Sequence, residues 1–168
     1  MRKAALLIAA FMATSAMAQD HQKNWTPPAG KIMAQAMSDK IMATHPELWS
    51  VTFHGTPPGS PEGTYTMFAG SFPERIGNVD DPDDVDIQKL GITILDPRWH
   101  RTKDPYKKFV MMLPLRDAAG ENVGELVLAY KTDGALKSEA DFYKASADLR
   151  DGLKSQIPNL AALFAPAK

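Results

Sequence analysis

Tyr106 to Lys131 reads YKKFVMMLPLRDAAGENVGELVLAYK, two apolar runs around a polar hinge. Phe109 to Leu115 carries no charge. Arg116-Asp117-Ala118-Ala119-Gly120-Glu121 interrupts it with turn-forming residues, and Val123 starts a second apolar run. Two strand-length runs joined by a short Gly-containing hinge predict an antiparallel hairpin, with strands Tyr106–Leu115 and Val123–Lys131.

The segments on either side show what this hairpin joins. Trp49 to His54 alternates, with Trp49, Val51 and Phe53 on one face and Ser50, Thr52 and His54 on the other, which predicts a strand. A stiff loop, Gly55 to Gly63, leads to a second strand, Thr64 to Ser71. Its Tyr65, Met67 and Ala69 lie opposite Thr66, Phe68 and Gly70, and the two strands are expected to pair antiparallel. Upstream, Ile32, Met33, Ala36, Met37 and Ile41 recur at three- and four-residue steps and form the stripe of an amphipathic helix. Thr26-Pro27-Pro28 reads as its entrance and His45-Pro46 as its exit. Downstream, Asp81-Pro82 opens a short helix to Leu90 that Gly91 stops. Ile92 to Leu95 reads as a short strand and Asp96 to Asp104 as a loop. Ser138 with Asp141 three residues on is an acidic capping box. It opens a helix with Phe142, Ala145, Leu149, Leu153 and Ile157 on its inner stripe, and Leu160 to Phe164 adds a final turn. This order predicts an α+β domain, a small antiparallel sheet flanked by an N-terminal and a C-terminal helix.

The N-terminus carries an address. Met1-Arg2-Lys3 is basic, Ala4 to Ala13 is uncharged, and Ala16-x-Ala18 is a small-x-small cleavage pattern. Residues 1–18 therefore read as a cleavable signal peptide, and 19–168 as a single domain that is periplasmic or secreted. The apolar run is too short to span a bilayer, so no membrane insertion is expected after cleavage. Removal takes Lys+Arg from 19 to 17 against 20 Asp+Glu, moving the net charge from −1 to −3. A mildly acidic domain is a poor partner for nucleic acid. The chain has no cysteine, which excludes disulfides, thiolate metal sites, thiol catalysis and a lipid-modified N-terminal Cys.

The stretch Pro114 to Leu128 resembles the last hairpin of extracytoplasmic PAS-like sensor domains of the Cache or PDC type. Asp117, Gly120 and Gly124 match their D-x-x-G-x-x-x-G pattern between apolar strands. Arg75-Ile76-Gly77 before the Asp-rich helix start is also similar to small exported domains of this kind. The resemblance is close over the hairpin and loose over residues 30–157. It implies a PAS/Cache-like fold with a ligand between the sheet face and the irregular segments. An anionic ligand would want Arg75, His100 and Arg101 as donors, with His54, Tyr65 and Tyr106 as walls. Such domains usually sit within membrane receptors, so a single-domain soluble form must act through a partner, such as a membrane receptor or transporter.

Other chemistry was weighed against plainer roles. The run Asp80, Asp81, Asp83, Asp84 and Asp86 lacks the Gly and the closing Glu of a calcium loop, and it suits a helix N-terminus. No histidine pair among His21, His45, His54 and His100 has local zinc spacing, although His54 and His100 could meet in space. The methionines read as core filler. With no Gly-x-Ser-x-Gly elbow and no phosphate-cradling loop, neither catalysis, a metal site nor a cofactor is expected. The leading expectation is a small-ligand-binding or sensory accessory domain. The alternatives are an exported copper- or zinc-binding protein using His54, His100 and Met or Asp ligands, and a ligand-free interaction module that docks through Gly55–Gly63.

Overall fold

A computed structural model describes residues 22–97, 107–136 and 138–167. Its strands are β1 (Leu48–Gly55), β2 (Thr66–Gly70), β3 (Ile94–Asp96), β4 (Lys108–Arg116) and β5 (Asn122–Lys131). Its helices are α1 (Met33–Thr44), α2 (Pro82–Leu90), α3 (Glu139–Lys154) and α4 (Leu160–Leu163), with a 3-10 turn at Pro73–Arg75. The strands form one antiparallel sheet in the order β2-β1-β5-β4-β3. The fold class is α+β, as the order of elements predicts.

The hairpin β4–β5 forms where the sequence places it, and Asp117 shapes its turn. Asp117 Oδ1 accepts from the backbone N–H of Ala119 and of Glu121, each at 2.9 Å. The strand alternation then divides the side chains between two faces. One face carries Phe53, Phe109, Met111, Leu113, Leu126, Leu128 and Tyr130, packed against Ala34, Met37 and Ile41 of α1, Phe142 and Leu153 of α3, and Leu163 of α4. Phe109 stacks on Phe142 with ring centroids 4.4 Å apart. Each such buried side chain contributes about 1.5–3 kcal/mol, so this layer supplies most of the folding drive.

The other face is covered only in part. There α2 lays Ile87 on Val110, Met112 and Ala129, a smaller apolar cluster. The beginning and end of α2 follow the expected boundaries, with Asp81 as the preceding residue and Gly91 in a left-handed conformation at φ 66°. Next to α2 the described residues leave the sheet face open, and this opening is the cleft beside His54.

Three expectations are corrected. Thr26-Pro27-Pro28 is not a helix entrance; α1 starts at Met33, where the C-terminal segment takes over the capping role. Met33 N–H donates to Ala165 O at 2.8 Å, and Ile32 pairs with Pro166. Trp49 does not share the core face with Val51 and Phe53. The register between β1 and β5 slips between Leu48 and Ser50, so Trp49 is an extra residue and stands 42% exposed while Leu48 fills the core. A second slip between β1 and β2 makes Phe68 the extra residue, and Phe68 and Ala69 both enter the core rather than alternating. No helix among the described residues is long and apolar enough to cross a membrane.

Candidate functional site

The open face gathers polar groups from three elements. Alternation along β1 turns Ser50, Thr52 and His54 to this side, away from Val51 and Phe53. Glu125 is the cross-strand partner of His54 on β5, and directly paired residues share a face. The strands meet closely here because Gly124 has no side chain. A Cβ at that position would stand 2.4 Å from the His54 carbonyl oxygen. The N-terminal end of α2 brings the remaining groups. Asp80 lies just ahead of the helix, and Asp84 lies in its first turn, where its Oδ2 accepts the Asp81 N–H at 3.0 Å.

His54 is the hub. Its Nδ1 donates to Asp80 Oδ1 at 2.7 Å, and its Nε2 lies 2.8 Å from Thr52 Oγ1. Gln88 Nε2 donates to the second Asp80 oxygen at 2.6 Å, fixing the carboxylate that fixes the ring. Asp84 Oδ2 stands 3.9 Å from His54 Nδ1. Burial alone would push the imidazole pKa down. The charge and hydrogen bond of Asp80, with the charge of Asp84, outweigh burial and hold it above the ordinary value. Burial raises the pKa of Asp84; His54 offsets part of that rise and Asp80 adds to it.

Glu125 is the unusual member. It is fully buried, and among the described residues its carboxyl meets no N–H, only the carboxyl of Asp84. Burial, then the charges of Asp84 and Asp80, push its pKa up to about 11. One potential ligand atom from each of His54, Asp84 and Glu125 lies within 4.8 Å of the other two. A buried carboxylate without a donor is costly unless a proton or a cation neutralises it.

Beside this cluster lies a cleft of about 170 Å³. Its floor is Met112, Val110, Val127 and Ala129, and its polar edge includes Ser50, Thr52, Arg75 and Lys108. Of the residues expected to bind a ligand, His54 and Arg75 line it. Arg75 is exposed, with its guanidinium 5.4 Å from the Phe72 ring centroid. Tyr65 is not among the lining residues; its ring lies under Lys89 Nζ at 5.1 Å. His100, Arg101 and Tyr106 lie outside the described residues. The sequence reading missed Glu125, and it took Asp80 and Asp84 only for helix-end charges. A usable signal was present, since Glu125 is the only charge between Val123 and Tyr130 and shares a face with Val127 and Ala129.

A larger cavity of about 520 Å³ opens between α1 and α3 on the opposite side. Met37, Ile41, Tyr130, Leu149 and Leu153 line it, with Lys40, Glu47 and Asp148 among its polar groups. It is larger, but its Lys40 and Asp148 are exposed and its Glu47 half-buried, so they do not form a buried ionisable cluster. That is the feature that distinguishes the smaller cleft as a candidate site.

No family model matches this chain, and no curated protein matches it. It is similar to the solved structure of a type II free methionine-R-sulfoxide reductase from Thermoplasma acidophilum. There the identity is 16%, the TM-score 0.49, and coverage is 79% of this chain and 92% of that one. It is also similar to the inducer-binding domain of the PobR transcription factor from Acinetobacter, solved with 3-hydroxybenzoic acid, at 13% identity and TM-score 0.44, covering 76% of this chain and 96% of that one. A GAF domain/HD domain protein from Geobacter sulfurreducens is similar at 12% identity and TM-score 0.44, covering 73% of this chain and 89% of that one. At these identities the likeness concerns the fold alone.

Proposed function

We propose that this domain binds a small organic molecule in the cleft on the open sheet face and does not transform it. One observation carries the reading. An apolar floor of Val110, Met112, Val127 and Ala129 is edged by Thr52, His54, Arg75 and Lys108, with Asp81, Asp83 and Asp84 also in the lining, so an apolar body finds its complement on the floor and an anionic group finds its own at Arg75 and Lys108. The volume of about 170 Å³ sets the scale. A cavity of about 150 Å³ accepts benzene, so the ligand is a small carboxylate of about that bulk. Arg75 and Lys108 supply the cations, and Arg101 is the further donor expected from sequence.

In this reading the domain is an exported, Cache-type sensory or binding protein. The leader pattern of residues 1–18 supports delivery to the periplasm or beyond, and a membrane receptor or transporter would read its occupancy. The mass of the mature N-terminus, expected to begin at Gln19, tests the export step. A thermal-shift screen of small aliphatic and aromatic carboxylates tests the binding step. At least one should give a saturable shift that Arg75→Ala or Arg101→Ala weakens by about tenfold or more, the contribution of one charge-assisted contact. A broad screen without any shift, or a shift indifferent to both substitutions, would rule out the anionic-ligand reading.

A further inference from the structure

Among the described residues Glu125 meets only another carboxyl, Asp84, so the pair needs a proton or a cation between them. The Glu125 carboxylate is fully buried, no N–H of a described residue reaches its two oxygens, and the groups around it are Asp84, a second carboxyl with which it can only share a proton, and the imidazole of His54, already bonded to Asp80 and Thr52. Three elements converge on this point: β5 brings Glu125, β1 brings His54 directly across from it, and the first turn of α2 brings Asp84.

We propose that His54, Asp84 and Glu125 form a binding site for one divalent transition-metal ion of the zinc or manganese class. Zinc holds His nitrogen and carboxylate oxygen at about 2.0–2.2 Å in a tetrahedral arrangement, so its ligand atoms stand about 3.4 Å apart. The three candidate atoms lie within 4.8 Å of one another, so an ion has to draw them together by up to about 1.4 Å. One imidazole nitrogen with two carboxylates suits zinc or manganese. Calcium wants six to eight oxygens, and Cu(I) prefers soft sulfur. Binding exchanges one of the two imidazole hydrogen bonds for a metal bond and leaves the other to hold the ring. Asp80, itself held by Gln88, stands outside the trio as the carboxylate that orients its histidine. His54 and Asp84 both line the cleft, which gives the ion an entry path.

A proton competes with the ion for Glu125, and a second group of Asp81, Asp83 and Asp84, the first two exposed, competes for the ion through the shared Asp84. The experiment separates these. Chelator-stripped protein is dialysed against Zn²⁺ or Mn²⁺ with no organic ligand present, then its metal content and binding isotherm are measured. One equivalent per chain is expected for the native sequence and for Asp83→Asn, and none for Glu125→Gln or Asp84→Asn. Asp80→Asn, which removes the carboxylate that orients His54 and its charge beside Asp84 and Glu125, should weaken binding by about 10–100-fold without abolishing it. Glu125→Gln keeps the shape of the side chain, and its metal-free circular dichroism should match that of the native protein. If it fails to fold, imidazole nitrogen NMR of the native protein decides the question, because Zn²⁺ must shift His54 and leave His45 in place. A native protein that stays metal-free, binding undiminished in Glu125→Gln, or an unmoved His54 resonance each overturns the site. The small-ligand reading stands or falls separately, since its carboxylate screen is run on stripped protein.

Discussion

Tyr130 shows how a single buried group ties stability to pH. Its ring is 1% exposed, Ser146 Oγ donates to its hydroxyl at 3.0 Å, and Ser146 is itself buried. Burial pushes the phenol from its ordinary 10.0 up to about 12. The folded state therefore favours the neutral phenol. The stability this contributes is fully present below pH 10 and is lost as pH rises toward 12. At pH 11.5 that loss is about 2 kcal/mol. Tyr130→Phe should cost about 1 kcal/mol at pH 8, because Ser146 loses its acceptor. The same variant should be the more stable protein at pH 11.5, since it has no phenol to ionise. Urea melts of both proteins at the two pH values check the crossing. Residue-level reading of the candidate site was uneven for a related reason. The D-x-x-G-x-x-x-G pattern marks Gly124, and the structure sets it against the His54 carbonyl. Asp80 and Asp84 were read as helix-end charges. A run of aspartates at a helix start has that purpose in most chains, and only the fold shows that two of them turn inward onto a histidine more than 25 residues away in sequence.

Elements were legible where local chemistry decides them. Asp81-Pro82 and Gly91 bracket α2, and Ser138 with Asp141 opens α3 through reciprocal hydrogen bonds of 3.2 and 2.9 Å. They were illegible where a distant strand decides. Nothing within Leu48–Gly55 shows that Trp49 is extruded, because that bulge exists only in the pairing with β5. The close seam between β1 and β5 makes a contrast of two glycines informative. At Gly124, with φ 142°, a Cβ would lie 2.4 Å from the His54 carbonyl oxygen, and backbone cannot yield as a side-chain tip can. Gly124→Ala should cost about 3 kcal/mol and force the strands apart beside His54. At Gly152, within α3, a Cβ would meet nothing within 4 Å. Gly152→Ala should stabilise by about 0.5–1 kcal/mol, through helix propensity and the unfolded chain. Chemical denaturation of both variants reads the two signs, and equal effects would show that the seam is not constrained as described.

The strand order β2-β1-β5-β4-β3 is a whole-molecule property that local patterns do not encode. Periodicity yields two hairpin-like pairs and a helix at each end, which establishes an α+β domain. The pairing of β1 with β5 sets a polar edge beside the β4–β5 floor of the cleft, and it joins His54 to Glu125 across 71 residues of sequence. The two chain ends are linked in the same non-local way. Met33 N–H donates to Ala165 O, and Ala167 N–H donates to Lys31 O, each at 2.8 Å, so the last residues serve as the N-cap that α1 lacks in its own sequence. Phe164 fastens this junction. Its ring packs 4.6 Å from Phe68 and edge-on to Trp25 at 5.9 Å, joining the core, the N-terminal segment and α4. A 12-residue helix is marginal in water and depends on such tertiary support. Ending the chain after Leu163 therefore removes a large aromatic contact together with the hydrogen bonds that start α1. The expected cost is about 3–5 kcal/mol, the range for losing a packed aromatic ring. Hydrogen exchange should localise the damage, with amides of the first turns of α1 losing protection before those of β4 and β5. Uniform loss of protection across the sheet would mean that the ends stabilise the molecule globally and do not act as a cap.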